Sequence, residues 1–114
     1  VVQSAEGQTL WVGADQKLAA VDLLNGHVCI ALSLMMPLLQ ILTVDNFTAV
    51  LTEQEAILFS PNRTLSCFCV LPDLATQISV SGSGFAIALF EGSRFSLSRS
   101  GRLEAVNPEM VLAG

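Results

Sequence analysis

Apolar residues along the chain gather into short runs of four to seven, each closed by Gly, Asn, Asp, Ser or Pro. That is the pattern of brief strands joined by tight turns. Twelve strands are expected, falling into three groups of four. The first group covers Val1 to Ala5, Leu10 to Gly13, Leu18 to Asp22 and Val28 to Leu34. The second covers Leu39 to Val44, Phe47 to Leu51, Ala56 to Ser60 and Leu65 to Leu71. The third covers Gln77 to Ser81, Phe85 to Phe90, Arg94 to Ser98 and Leu103 to Val106. No segment keeps a 3.6-residue period between capping residues, so little helix is expected. Phe85 to Phe90 is apolar on both faces, which predicts a strand sandwiched between neighbouring sheets. The uncharged run from Val28 to Val44 is 17 residues long, the lower limit for a membrane helix. Pro37 at its centre, the polar Ser33, Gln40 and Thr43, and the lack of Lys or Arg flanks argue instead for two buried strands joined at Met35-Met36-Pro37, with no membrane span.

The three groups repeat. Gln3, Gln40 and Gln77 stand 37 residues apart and each opens an apolar stretch. Downstream, Leu10-Trp11-Val12 aligns with Phe47-Thr48-Ala49 and Phe85-Ala86-Ile87. The turn Leu24-Asn25-Gly26-His27-Val28 aligns with Pro61-Asn62-Arg63-Thr64-Leu65 and Arg99-Ser100-Gly101-Arg102-Leu103. A period of this size marks a repeat array, with units at about 1–37, 38–74 and 75–112.

Four strands per unit at this spacing resemble β-propeller blades of a degenerate WD40-like or quinoprotein-like kind. The segment from Leu10 to Val28 carries the resemblance best: a strand, an Asp-containing turn, a strand ending at Asp22, then the Asn25-Gly26 turn. The Trp-Asp and Gly-His signatures of strict WD40 repeats are missing at their places. The expected fold is therefore all-β, three four-stranded antiparallel propeller-like blades, with a β-sandwich as the alternative. Three blades fall short of the usual four to eight, so the end blades expose apolar faces. The remaining blades are expected from the parent chain, from self-association or from another subunit. The Val1-Val2-Gln3 start, without Met, reads as a segment of something longer.

Composition narrows the function classes. Of 114 residues, 52% are hydrophobic and 13% charged, and the net charge is -5. An acidic chain of this kind is a poor match for nucleic acid and a better one for a basic protein partner. Cys29, Cys67 and Cys69 cannot all pair within one chain, and the two-residue spacing of the last two suits neither an easy disulfide nor a zinc site. They read as reduced core thiols in a cytoplasmic protein, with no metal. Asn46-Phe47-Thr48 and Asn62-Arg63-Thr64 match the glycosylation pattern, so Asn46 and Asn62 are the candidate acceptors if the chain is secreted or belongs to an ectodomain.

No catalytic residue or cofactor is expected. His27, the sole imidazole, follows a turn without a neighbour to tune it, and Ser79-Val80-Ser81-Gly82-Ser83-Gly84 lacks the Lys and helix of a phosphate loop. A propeller enzyme segment holding a cofactor at its axis is the alternative, and Gln3, Gln40 and Gln77 are the only polar residues repeating on an inner strand. Propeller connectivity puts the loops between second and third strands, and the links between units, at one end. Asp15, Glu53, Glu55 and Glu91 fall in those loops and Met35 and Met36 in a link, beside Asp73 and Asn107-Pro108-Glu109. The opposite end, with His27, Arg63, Arg99 and Arg102, reads as partly basic. The leading expectation is a non-catalytic protein–protein interaction scaffold using this acidic end and its blade edges.

Overall fold

The computed structural model describes residues 2–106 and contains strands and turns but no helix among them. The first sheet comprises β1 (Val2–Glu6), β2 (Thr9–Ala14), β3 (Lys17–Asp22) and β4 (Val28–Ser33). The second comprises β5 (Leu38–Val44), β6 (Phe47–Thr52), β7 (Glu55–Phe59) and β8 (Leu65–Val70). The third comprises β9 (Ala75–Ser81), β10 (Gly84–Leu89), β11 (Arg94–Leu97) and β12 (Leu103–Ala105). Each sheet is an antiparallel meander in chain order. The three stand side by side as blades 1, 2 and 3, with the first strand of each innermost: β1 lies against β5, and β5 against β9. This is the propeller arrangement. The uncharged run divides as its proline requires, into β4, the link 34–37 and β5. Among the described residues no helix is long and apolar enough to cross a membrane.

Left-handed residues close the hairpins. The first turns hold Gly7 (φ 62°), the pair Asp45 and Asn46 (51° and 68°) and Gly82 (57°). The turns between third and fourth strands hold Gly26 (75°), Arg63 (65°) and Gly101 (88°). Gly, Asn and Asp tolerate this region because they lack a β-branch or satisfy the backbone locally.

Two cores hold the blades together. Between blades 1 and 2, Trp11, Leu18 and Ala20 meet Ile41, Val50, Ile57 and Phe59. Trp11 and Phe59 tilt together with centroids 4.7 Å apart. Between blades 2 and 3, Ala49, Leu51, Ala56 and Leu58 meet Ile78, Phe85, Ile87 and Leu97. Blade 2 is therefore covered on both faces, and every residue of β7 is buried. The end blades are covered on one face each. In β10, Phe85, Ile87 and Leu89 are buried while Ala86 and Ala88 between them are half-buried. The expectation of neighbours on both sides of this strand is thus corrected: small alanines line an open face.

The repeat register also needs correction. The residues closing the first hairpins pair as Glu6 with Thr9, Val44 with Phe47, and Ser81 with Gly84. Thr9, Phe47 and Gly84 are therefore equivalent, one step away from the alignment of Leu10 with Phe47 and Phe85. Gln40 and Gln77 stay equivalent, but the matching position in blade 1 is Val2, not Gln3. A one-residue slip moves a strand's side chains to the opposite face, so Gln3 and Gln40 point to opposite sides of their blades.

Candidate functional site

The links between blades are stitched to the loops between second and third strands, and this builds the end expected to be acidic. The Leu38 N–H donates to the Asp15 carbonyl at 2.6 Å, that of Ala75 to Glu53 at 2.7 Å, and that of Phe90 to Leu74 at 2.8 Å. Gln16 and Gln54 repeat one device. The backbone carbonyl of each accepts from the N–H of the residue following the outer strand, Leu34 or Leu71. Each also donates its amide Nε2 to a nearby carbonyl, of Met35 or Leu71.

At this end Asp15, Glu53 and Glu91 are exposed, Met35 is 81% exposed and Met36 half-buried. Asp15 sits at a positive φ of 53° in its turn, and the Ser93 hydroxyl donates to Glu91. Glu55 departs from the expectation. It opens β7 and is only 5% exposed, and its Oε1 accepts from the Thr52 hydroxyl at 3.2 Å, so it offers no carboxylate to a partner. Asn107-Pro108-Glu109 lies outside the described residues, as does the remainder of the third unit to 112. Lys17 and Arg94 share this end, so it is mixed, with the acids in the majority.

One residue here escaped the sequence reading. Phe90, taken as the end of a core strand, lies beyond β10 and is 78% exposed beside Leu74, itself 49% exposed. They form an apolar knob between Asp73 and Glu91. An aromatic directly before Glu-Gly was the available signal, since such a pair starts a turn.

The opposite end has little free positive charge. Arg63 reaches back from blade 2 to Asp22 at 3.9 Å and to the Thr9 hydroxyl at 3.4 Å. Arg99 reaches back from blade 3 to pair with Asp45, its guanidinium 5.2 Å from the Phe47 ring centroid. Arg102 pairs with Glu104 at 3.2 Å. These arginines act as ties between and within blades. The glycosylation candidates are here too: Asn46 in the first hairpin of blade 2 and Asn62 in the turn before β8, both exposed. His27 is an exposed turn residue.

The cysteines are not core residues. Cys29 is exposed on the outer strand β4. Cys67 and Cys69 are half-buried on one side of the outer strand β8, their Sγ atoms 2.6 Å apart. Burial, then the hydrogen bond and charge of Cys69, push the Cys67 thiol from 9.0 up to about 11. It is a protonated, unreactive thiol at neutral pH. No group of three metal-ligating side chains occurs among the described residues.

Along the inner strands the hydroxyls of Ser4 and Thr43 join blades 1 and 2 at 2.9 Å. Between blades 2 and 3 the tie is stronger. Gln40 Nε2 donates to the Ile78 carbonyl at 2.9 Å, and its Oε1 accepts from the Ile78 N–H at 3.1 Å. The glutamine thus takes the place of a backbone neighbour along the free edge of β9.

No sequence family and no curated protein matches the chain. Solved structures do. The fold is that of a β-propeller segment. The designed protein Ika4 matches with a TM-score of 0.78 at 12% identity, over 94% of this chain and 71% of that one. The designed protein Ika8 matches with a TM-score of 0.77 at 10% identity, over 93% of this chain and 35% of that one. The N-terminal domain of Nup159 matches with a TM-score of 0.60 at 17% identity, over 98% of this chain and 32% of that one. A chain of a S. cerevisiae assembly of Dbp5 with Nup159 and Gle1 matches with a TM-score of 0.59 at 19% identity. The chain thus spans about a third of Ika8 and of the Nup159 domain.

Proposed function

We propose that the chain is a non-catalytic interaction segment of a β-propeller, with blades of a degenerate WD40-like or quinoprotein-like kind, working in the cytoplasm. The observation that carries this reading is the stitched loop end, where Asp15, Glu53 and Glu91 and the apolar Met35, Leu74 and Phe90 are all exposed. Flexible or flat apolar side chains sharing one end with carboxylates suit a protein segment that offers lysines or arginines beside an apolar anchor. The assembly of Dbp5 with Nup159, to which this chain is similar in fold, supports the same use of propeller blades.

Titrating an Arg- and Leu-containing peptide while following backbone amide resonances tests the proposal. Shifts should concentrate on 15–16, 35–36, 53–54, 74 and 90–91, and should weaken in a chain carrying Asp15→Asn, Glu53→Gln and Glu91→Gln. Shifts confined to the opposite end, or unchanged by the triple substitution, would defeat it.

A further inference from the structure

The open face of blade 3 carries an unused copy of the tie that holds blades 2 and 3 together. Gln77 occupies in β9 the place of Gln40 in β5: each stands four residues before the residue that closes its hairpin, Ser81 or Val44. Gln40 grips Ile78, which stands three residues before that closing residue in its own blade. Gln77 is exposed, and its amide has no hydrogen-bond partner among the described residues. The position equivalent to Ile78 in blade 1 is Gln3, paired with Val12 as Ile78 is with Ile87. Alternate residues of an antiparallel ladder turn their N–H and C=O away from the partner strand. By this register the backbone of Gln3 faces the free inner edge of β1.

We infer that blade 3 docks on blade 1 of a second copy of this chain, with the Gln77 amide gripping the backbone of Gln3. Two copies joined this way at both ends form a closed six-bladed ring. Three further observations support a second copy as the occupant.

A small face would meet a larger one. In the interface between blades 2 and 3, the leading face offers Ala49, Leu51, Ala56 and Leu58 and the trailing face Phe85 and Ile87, so the smaller residues lead and the larger trail only in part. The open face of blade 3 is smaller still, with Ala88 and Ser96 at the places of Leu51 and Leu58. Blade 3 offers Ala86, Ala88 and Ser96, and blade 1 offers the half-buried Leu10, Val12 and Val21. A hollow of about 320 Å³ lies on the blade 1 face, lined in part by Val12, Ala14, Ala19 and Ala31.

The turns match as well. Blades 2 and 3 reach back with Arg63 and Arg99 to acids on the preceding blade. In blade 1 the corresponding turn carries Leu23 and Leu24, 53% and 76% exposed. The hairpin it would meet on blade 3, Gly82-Ser83, is equally without charge.

The count closes. Propellers typically have four to eight blades, and six is the multiple of three in that range.

Light scattering after size exclusion tests the inference on the chain itself. The expected mass is twice the 12.1 kDa of one chain. Ala86→Arg on one open face and Val12→Arg on the other should each give monomers, and mixing the two variants, which leaves one intact pair of faces, should regain dimer. Gln77→Ala, a milder change, should raise the dimer dissociation constant roughly tenfold or more per joint, the worth of two net hydrogen bonds. Emission from Trp11, buried between blades 1 and 2, verifies that each variant is folded. A wild-type monomer at all concentrations, a larger assembly, or a dimer indifferent to Ala86→Arg and Val12→Arg would overturn the inference. None of these outcomes bears on peptide binding at the loop end, so the two readings fail separately.

Discussion

Replacing Gln40 with Ala removes both hydrogen bonds to Ile78 and little else, because the amide is only partly buried and lies at the rim of the core. Each intramolecular bond of this kind is worth about 1 kcal/mol net when water can replace it, so the loss should be about 2 kcal/mol. It should be larger if water does not reach the Ile78 backbone. With a urea slope of roughly 2 kcal/mol per molar, the unfolding midpoint should fall by about 1 M. The loss should also be local, since blades exchange energy mainly with their neighbours. Trp11, the only tryptophan, reports on the contact between blades 1 and 2, whereas far-ultraviolet circular dichroism reports on all three sheets. In the Ala variant the dichroism should begin to fall before the emission shifts, at one fixed protein concentration. Gln40→Glu sharpens the test. It keeps an acceptor for the Ile78 N–H but sets a charged oxygen against the Ile78 carbonyl, so at pH 7 it should be no more stable than Ala. A midpoint for the Ala variant within about 0.3 M of wild type, or a Glu variant as stable as Gln, would refute the reasoning.

Three other outcomes follow from the packing. A Cβ on Gly84 would lie 2.5 Å from the Leu97 carbonyl oxygen, which is backbone and cannot rotate away, so Gly84→Ala should cost about 1–3 kcal/mol in urea unfolding. Arg99→Ala breaks the pair with Asp45 and the contact over Phe47; it should cost about 1 kcal/mol at low ionic strength and less at high salt. Because the folded thiol of Cys67 keeps its proton to about 11 while the ordinary value is 9.0, the folded state binds more protons between those values. Stability should be level in this respect below pH 9 and fall from 9 toward 11, and Cys67→Ser should flatten that fall in midpoints measured across the range.

The strand order was readable because each turn carries its own chemistry: Asn25-Gly26, Ser81-Gly82 and Asp45-Asn46 punctuate runs too short for anything but strands. The faces were harder to read. Leu10 and Phe47 look alike, yet the hairpins make Thr9 the equivalent of Phe47, and one step of slippage inverts inside and outside. Ala86 and Ala88 read as core because alanine suits either side of a sheet. Glu55 read as solvated because nothing local announces that Thr52, three residues earlier, will meet its carboxylate. The arginine ties were invisible for a related reason: Arg99 and Asp45 are 54 residues apart and come together only when blades stack.

The meander connectivity has a consequence for a chain leaving the ribosome. Every hydrogen-bonded strand neighbour is also the next strand in sequence, so each blade can pair up as soon as its four strands have emerged, without waiting for a distant segment. Trp11 must wait longer, because its stacking partner Phe59 is made only with the third strand of the following blade. Until then the nascent first blade presents its indole uncovered. That interval is when a chaperone would find it, and synthesis of β7 brings it to an end.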